Sequence, residues 1–292
     1  MSRNLLSTIE AAFPTFSKGQ KLIANYILEH YDKAAFMTAA RLGKTVGVSE
    51  STVVRFATEI GYDGYPALQK ALQELIRNRL TSVQRMGVTN ERLGDADVLQ
   101  KVLQADRESL RRTMEQIDNT AFHKAVQAII AARKIYIIGV RSAAALASFL
   151  NYYFTHIFED VRNLDTASTS VIFEQLLRIS PEDVFVAITF SRYSSRTYKA
   201  AAYAKQNGAT VIAITDSFTA PICKVADHVL VARSDMASFV DSLVAPLSLI
   251  NALIVAIGLQ KKEEIAQVYA RLEMIWEEYN VYEKGEPDVP AP

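Results

Sequence analysis

Along the first 80 residues apolar positions repeat at helical spacing: Leu22, Ile23, Tyr26 and Ile27 share one face, as do Leu68, Leu72, Leu75 and Ile76. No stretch there alternates as a strand does. The pattern predicts an all-α N-terminal domain over residues 1–80. Residues 81–95, "TSVQRMGVTNERLGD", lose the periodicity and gather Thr, Ser, Asn and Gly, which predicts a linker over 81–96. Helices resume from Asp97 to Arg133, and then the character changes. "KIYIIGV" from 134, "VFVAITF" from 184, "TVIAITD" from 210 and "HVLVA" from 228 are short β-branched apolar runs separated by helical stretches such as "SAAALASFLNYYFTHIF". Strands apolar on both faces that alternate with helices predict a mostly parallel sheet covered on both sides, a three-layer α/β domain over 97–283. The acidic, proline-rich end, 284–292, is predicted to be a disordered tail. In such sheets ligands sit beyond the carboxyl ends of the strands.

Composition agrees with this division. The 292 residues exceed the roughly 100–200 of a usual domain, so two domains are expected. Half of the residues are hydrophobic and 22% charged, which excludes a largely disordered chain. Net charge is zero, but residues 1–80 hold ten Lys and Arg against seven Asp and Glu, while the remainder holds 22 against 25. The mild positive bias permits a nucleic-acid surface at the N-terminal end. Cys223 is the only cysteine, and no Cys/His cluster has metal-ligand spacing, so no disulfide, metal or cofactor is expected. The N-terminus lacks the pattern of a signal peptide. The most apolar segment, "LVAPLSLINALIVAIGL", contains Pro246, Ser248 and Asn251 and reads as a buried helix. A soluble cytoplasmic protein is expected.

Between the first helices lies "AARLGKTVGVSESTVVRFATEIGY", residues 39–62. Leu42 and Val46 give a short apolar face, Gly43 a small residue where two helices approach, Gly47 a sharp turn, and Val48 a plug between the helices. Ser49 is a good N-cap for a second helix anchored by Val53 and Phe56. This spacing is a helix-turn-helix signature. The second helix then presents Glu50, Ser51, Thr52 and Arg55, and together with Ser49 and Lys44 these are the candidate contacts to base edges and phosphates of DNA.

"FSKGQKLIANYILEH" followed by "LGKTVGVSESTVVRFATEIGYDGYPALQKAL" resembles the N-terminal domain of the RpiR family of bacterial transcriptional regulators. The resemblance covers nearly the whole chain. It implies a C-terminal sugar isomerase (SIS) domain that binds sugar phosphates, and a repressor as the commoner role.

The strand "IYIIG" ends in Gly139-Val140-Arg141-Ser142 and runs directly into an alanine-rich helix, whose free amides favour an anion. The strand "VAIT" ends in Phe190-Ser191-Arg192-Tyr193-Ser194, again at a helix start. Gly139, Arg141, Ser142, Ser191, Arg192, Tyr193 and Ser194 are therefore the candidate ligand-binding residues. The resemblance aligns the second turn with a Ser-x-Ser-Gly-x-Thr pattern and the first with Gly-x-Gly-Ser. In both, an arginine replaces a glycine. Two explanations stay open: the arginines grip a strongly acidic ligand such as a phosphorylated sugar acid, or they point outward and leave the ligand to the serines and amides. Asp216 and Ser217 form a third strand end, where Asp216 reads as structural.

An isomerase needs a positioned acid or base. The candidates Glu159, Glu174, His156 and His228 lie in no recognisable catalytic pattern, and an isomerase working alone has no use for a helix-turn-helix. No catalytic residue is expected. The predicted function is regulation of operator DNA by an anionic effector, in a homodimer or homotetramer that reads a palindrome. The alternatives are a sugar-phosphate isomerase or lyase with an accessory helical domain, and a DNA-binding protein whose SIS domain only dimerises.

Overall fold

The computed structural model describes residues 5–79, 81, 83–86, 97–164, 168–236 and 238–282. Most of the expected linker and the whole expected tail lie outside the described residues. The chain divides into two compact units, Met1–Ala105 with Asp235–Ser242, and Asp106–Ser234 with Leu243–Pro292.

The first unit is helical: α1 (Leu5–Ala12), α2 (Lys18–Glu29), α3 (Tyr31–Ala34), α4 (Ala39–Val46), α5 (Glu50–Glu59) and α6 (Gly64–Arg79). Three of these helices start on side-chain caps. Ser17 and Gln20 form a reciprocal capping box on α2, Thr38 accepts from the Arg41 amide at α4, and Ser49 accepts from the Thr52 amide at α5. Their apolar stripes meet in a core of Ile9, Ile23, Ile27, Leu42, Val53, Phe56, Leu68 and Leu72, all fully buried. Such side chains contribute about 1.5–3 kcal/mol each on burial. Helix α6 closes the corner before α4. The Tyr65 hydroxyl donates to the carbonyls of Ala34 and Met37, Gln69 to Met37 and Gln73 to Ala35. These bonds satisfy carbonyls that a four-residue helix leaves orphaned. Burial pushes the Tyr65 hydroxyl pKa up to about 12.

The apolar runs of the second unit become strands with both faces buried. After α7 (Val98–Gln116), across which the division of units falls, come α8 (Asn119–Ala131), β1 (Ile135–Gly139), α9 (Ser142–Ile157), β2 (Val161–Asn163), α10 (Thr169–Gln175), β3 (Val184–Ile188), α11 (Ser195–Gln206), β4 (Thr210–Thr215), β5 (His228–Val231), α12 (Val244–Gln260) and α13 (Lys262–Glu278). The sheet order is β2-β1-β3-β4-β5, and every pairing is parallel. Alternation sorts the strand side chains into two cores. Ile135, Ile137, Val184, Val186, Ile188, Ile212 and Ile214 pack against α8, α9 and α12. Tyr136, Ile138, Phe185, Ala187, Val211 and Ala213 pack against α10 and α11. Three layers result, as the pattern predicts.

The strand missing from the sequence reading is β2. It is a three-residue edge strand, "VRN", with Arg162 exposed, so it carries no apolar run to betray it. Helix α12 is the buried helix foreseen from "LVAPLSLINALIVAIGL", with Leu249, Ile250, Leu253 and Ile257 in the core. No single helix among the described residues is long and apolar enough to cross a membrane.

Candidate functional site

In the first unit, α4 ends on Gly47 at φ 78°, ψ 34°, the left-handed conformation open to glycine at little cost. The Val48 amide then donates to the Gly43 carbonyl at 2.8 Å. A Cβ on Gly43 would lie 2.7 Å from the Val48 carbonyl oxygen, so α4 and α5 can meet at this angle only over a bare backbone. Val53 and Phe56 pin α5 to the core and leave Glu50, Ser51, Val54, Arg55 and Thr58 exposed. Of the residues predicted to meet DNA, Lys44, Glu50, Ser51 and Arg55 stand on the surface, with Arg55 Nε donating to the Ser51 carbonyl. Ser49 and Thr52 are more committed. The Ser49 hydroxyl accepts from the Thr52 amide and bonds both neighbouring hydroxyls, and Thr52 is half-buried. Arg41, exposed on α4, adds a cation that the sequence reading passed over.

In the second unit, β1 and β3 lie side by side but send their helices to opposite faces. This is the topological switch point of a parallel sheet, where a crevice opens beyond the carboxyl ends. It brings together the two turns that the sequence singles out. Gly139 closes β1, and a Cβ there would fall 2.3 Å from the Ala143 carbonyl oxygen, so the glycine lets α9 begin at the strand end. Arg141 follows at φ 61°, ψ −129°, and Arg141 and Ser142 are both exposed. Beyond β3, the Thr189 amide donates to the Ile214 carbonyl at 3.0 Å. Ser191 is buried, Arg192 exposed at φ 63°, Tyr193 half-buried, and Ser194 caps α11 by accepting from the Thr197 amide.

The two arginines occupy backbone that disfavours them. Among the described residues only Arg141, Arg192 and Asn280 have a positive φ without being glycine. Asparagine tolerates this region; for an arginine it costs on the order of 1 kcal/mol or more. Thus the chain keeps the glycine conformation of both turns but not the glycines. The N-termini of α9 and α11 both open at this edge, so their dipoles add to the guanidinium charge.

Asp216 is the residue whose importance the sequence hides. It lies at the end of β4, 1% exposed, and its carboxylate accepts from the Ser191 amide at 3.1 Å and from the Tyr193 hydroxyl at 2.8 Å. The turn after β4 is held instead by Ser217, whose hydroxyl accepts from the Thr219 amide. Burial, with the Asp216 charge adding to it, pushes the Cys223 thiol pKa up. Nothing in the sequence joins Asp216 to Ser191, 25 positions away; only the pairing of β3 with β4 does. Arg196 in the first turn of α11 is a further cation at this edge that the sequence reading did not name. Thr197 and Thr215, both fully buried, hold hydroxyl oxygens with no hydrogen-bond partner.

The four acid–base candidates lie elsewhere. His228 opens β5, and Glu159 precedes β2, which puts both at the amino edge of the sheet. His156 is the second-last residue of α9, about 20 Å along a helix that starts at the carboxyl edge, and it packs on Tyr152 and Tyr269. Glu174 is exposed in the last turn of α10. The described residues contain no group of three or more His, Cys, Asp or Glu that could hold a metal ion.

Comparison with known proteins fits both halves. Residues 3–79 match the helix-turn-helix domain model of the rpiR family, and residues 128–256 match the SIS domain model. An uncharacterized HTH-type transcriptional regulator of Clostridium perfringens is 27% identical over 73% of this chain and 76% of its own. The sugar isomerase domain of an RpiR transcription factor from Sphaerobacter thermophilus superposes with a TM-score of 0.57 at 28% identity, covering 60% of this chain and 97% of that one. The Vibrio vulnificus NanR protein, solved with ManNAc-6P, shares the fold at a TM-score of 0.58 and 24% identity, over 93% of this chain and 98% of that one. A helix-turn-helix joined to a SIS domain in one chain is the architecture of the RpiR family of transcriptional regulators, and this protein belongs to it.

Proposed function

We propose that this protein binds operator DNA through α4 and α5 and senses a phosphorylated sugar or sugar acid at the carboxyl edge of β1 and β3, and that the ligand alters DNA binding. The observation that carries the ligand half is the pair of arginines held at φ 61° and 63° on the two turns that flank the switch point. Strained backbone persists where the side chain or the geometry is needed, and here two arginine-bearing turns and two helix N-termini lie at one edge of the sheet. Charge-assisted, forked contacts from arginine suit a phosphate or a carboxylate. NanR, of the same fold, was solved with a phosphorylated amino sugar.

The domain acts as a sensor rather than an enzyme. The candidate bases Glu159, His156 and His228 sit toward the amino edge, and the buried carboxylate nearest the turns, Asp216, already accepts two hydrogen bonds. DNA reading assigns Lys44, Glu50, Ser51 and Arg55 to contacts and Ser49 and Thr52 to the support of α5. A homodimer supplies the second recognition helix that a palindromic site requires.

The test is a thermal-shift screen of the full chain against phosphorylated sugars, sugar acids and amino sugars, since a ligand that binds only the folded state raises its melting point. A hit weakened by Arg192→Gly or Arg141→Gly, and able to change operator binding in a mobility-shift assay, supports the proposal. Turnover of the hit, lost in Glu174→Gln, would favour the isomerase. No ligand across the screen leaves a SIS domain that only assembles the dimer.

A further inference from the structure

We infer that Asp216 is a positioning residue that holds Arg192 in its left-handed conformation and so shapes the anion-binding turn; this rests on the sensing function proposed above. The geometry is a clasp. The two residues on either side of Arg192 are both fastened to one buried carboxylate: Ser191 through its amide at 3.1 Å, Tyr193 through its hydroxyl at 2.8 Å. The turn is also tied at each end, by the Thr189 amide on the Ile214 carbonyl and by Ser194 capping α11. Between these ties Arg192 is held at φ 63°, a conformation that an arginine leaves for negative φ when the turn is released. Relaxation would swing the guanidinium and rotate the amides of the turn.

The placement is otherwise paradoxical. A carboxylate beside an anion site repels the ligand, and it also occupies the Ser191 amide, a donor that a phosphate could have used. Electrostatics alone therefore predicts that neutralising Asp216 tightens anion binding. Positioning predicts the reverse, and it predicts that the requirement disappears when residue 192 is a glycine, for which a positive φ is nearly free. The two accounts differ in sign.

The test uses the full chain and inorganic phosphate, titrated by phosphorus NMR, in four proteins: wild type, Asp216→Asn, Arg192→Gly and the double variant. Hydrogen bonds to a charged group support a loss of about tenfold in phosphate affinity for Asp216→Asn. In the Arg192→Gly background the same change is expected to cost less than about threefold, a coupling that general damage to the fold would not produce. Amide exchange of the 189–194 segment is expected to speed up by a similar tenfold in Asp216→Asn and far less in the double variant. Should Asp216→Asn fail to fold, Tyr193→Phe removes one arm of the clasp and is expected to weaken phosphate about threefold with the same dependence on residue 192. Unchanged or tighter phosphate binding in Asp216→Asn, or equal losses in both backgrounds, overturns the clasp while leaving the anion site standing. Absence of saturable phosphate binding in the wild type overturns the anion site, and the clasp's function with it.

Discussion

Two tight turns in this protein require left-handed backbone, and they meet the requirement in opposite ways. In the helix-turn-helix, Gly47 takes φ 78° with nothing within 4 Å of where a Cβ would stand. At the edge of the sheet, Arg192 takes φ 63° between two residues tied to Asp216. The first turn has only to bend, and the residue with least resistance serves. On the proposed function the second has to bend and also present a charged side chain, so the strain is retained and the surrounding structure holds it. Where an arginine sits in backbone made for glycine, the side chain is the reason to look for.

The glycines that crowd against other backbone should give the largest effects. Gly139→Ala, with its new Cβ 2.3 Å from the Ala143 carbonyl oxygen, is expected to cost about 3 kcal/mol or to prevent folding of the second unit, read by denaturant unfolding. Gly43→Ala meets the Val48 carbonyl at 2.7 Å and is expected to cost about 2 kcal/mol, with operator binding falling alongside. Gly47→Ala, in open space, isolates the backbone term alone: a loss of about 1 kcal/mol. Arg192→Gly and Arg141→Gly run the same term backwards and are each expected to raise stability by about 0.5–1 kcal/mol while weakening phosphate binding. If either arginine variant proves less stable than the wild type, its side chain is part of the fold, and the contrast with Gly47 collapses.

Much of this was legible in the sequence because it depends on neighbours along the chain. The caps at Ser17 and Ser49 act over three residues, and the recognition helix follows from Leu42, Gly47, Val48 and Val53 in register. Four strands announce themselves as apolar runs because a central parallel strand is buried on both faces. The edge strand β2 does not, because "VRN" has one edge unpaired and Arg162 in solvent. The substitution of arginine for glycine in the two turns was visible too, as a departure from a pattern. That the glycine conformation survives the departure was not, since φ is set by what surrounds the residue.

The sequence by itself determined the order of elements, the two kinds of domain and the positions of both candidate sites, all of which rest on local propensity and on the period of the apolar pattern. Tertiary structure decided which of those residues meet. Placing β1 beside β3 put the turns of Arg141 and Arg192 at the same edge of the sheet, and placing β4 beside β3 brought Asp216 to Ser191 and Tyr193. Contacts of that kind join positions far apart in the chain, and no local pattern encodes them, because they exist only once the sheet has assembled.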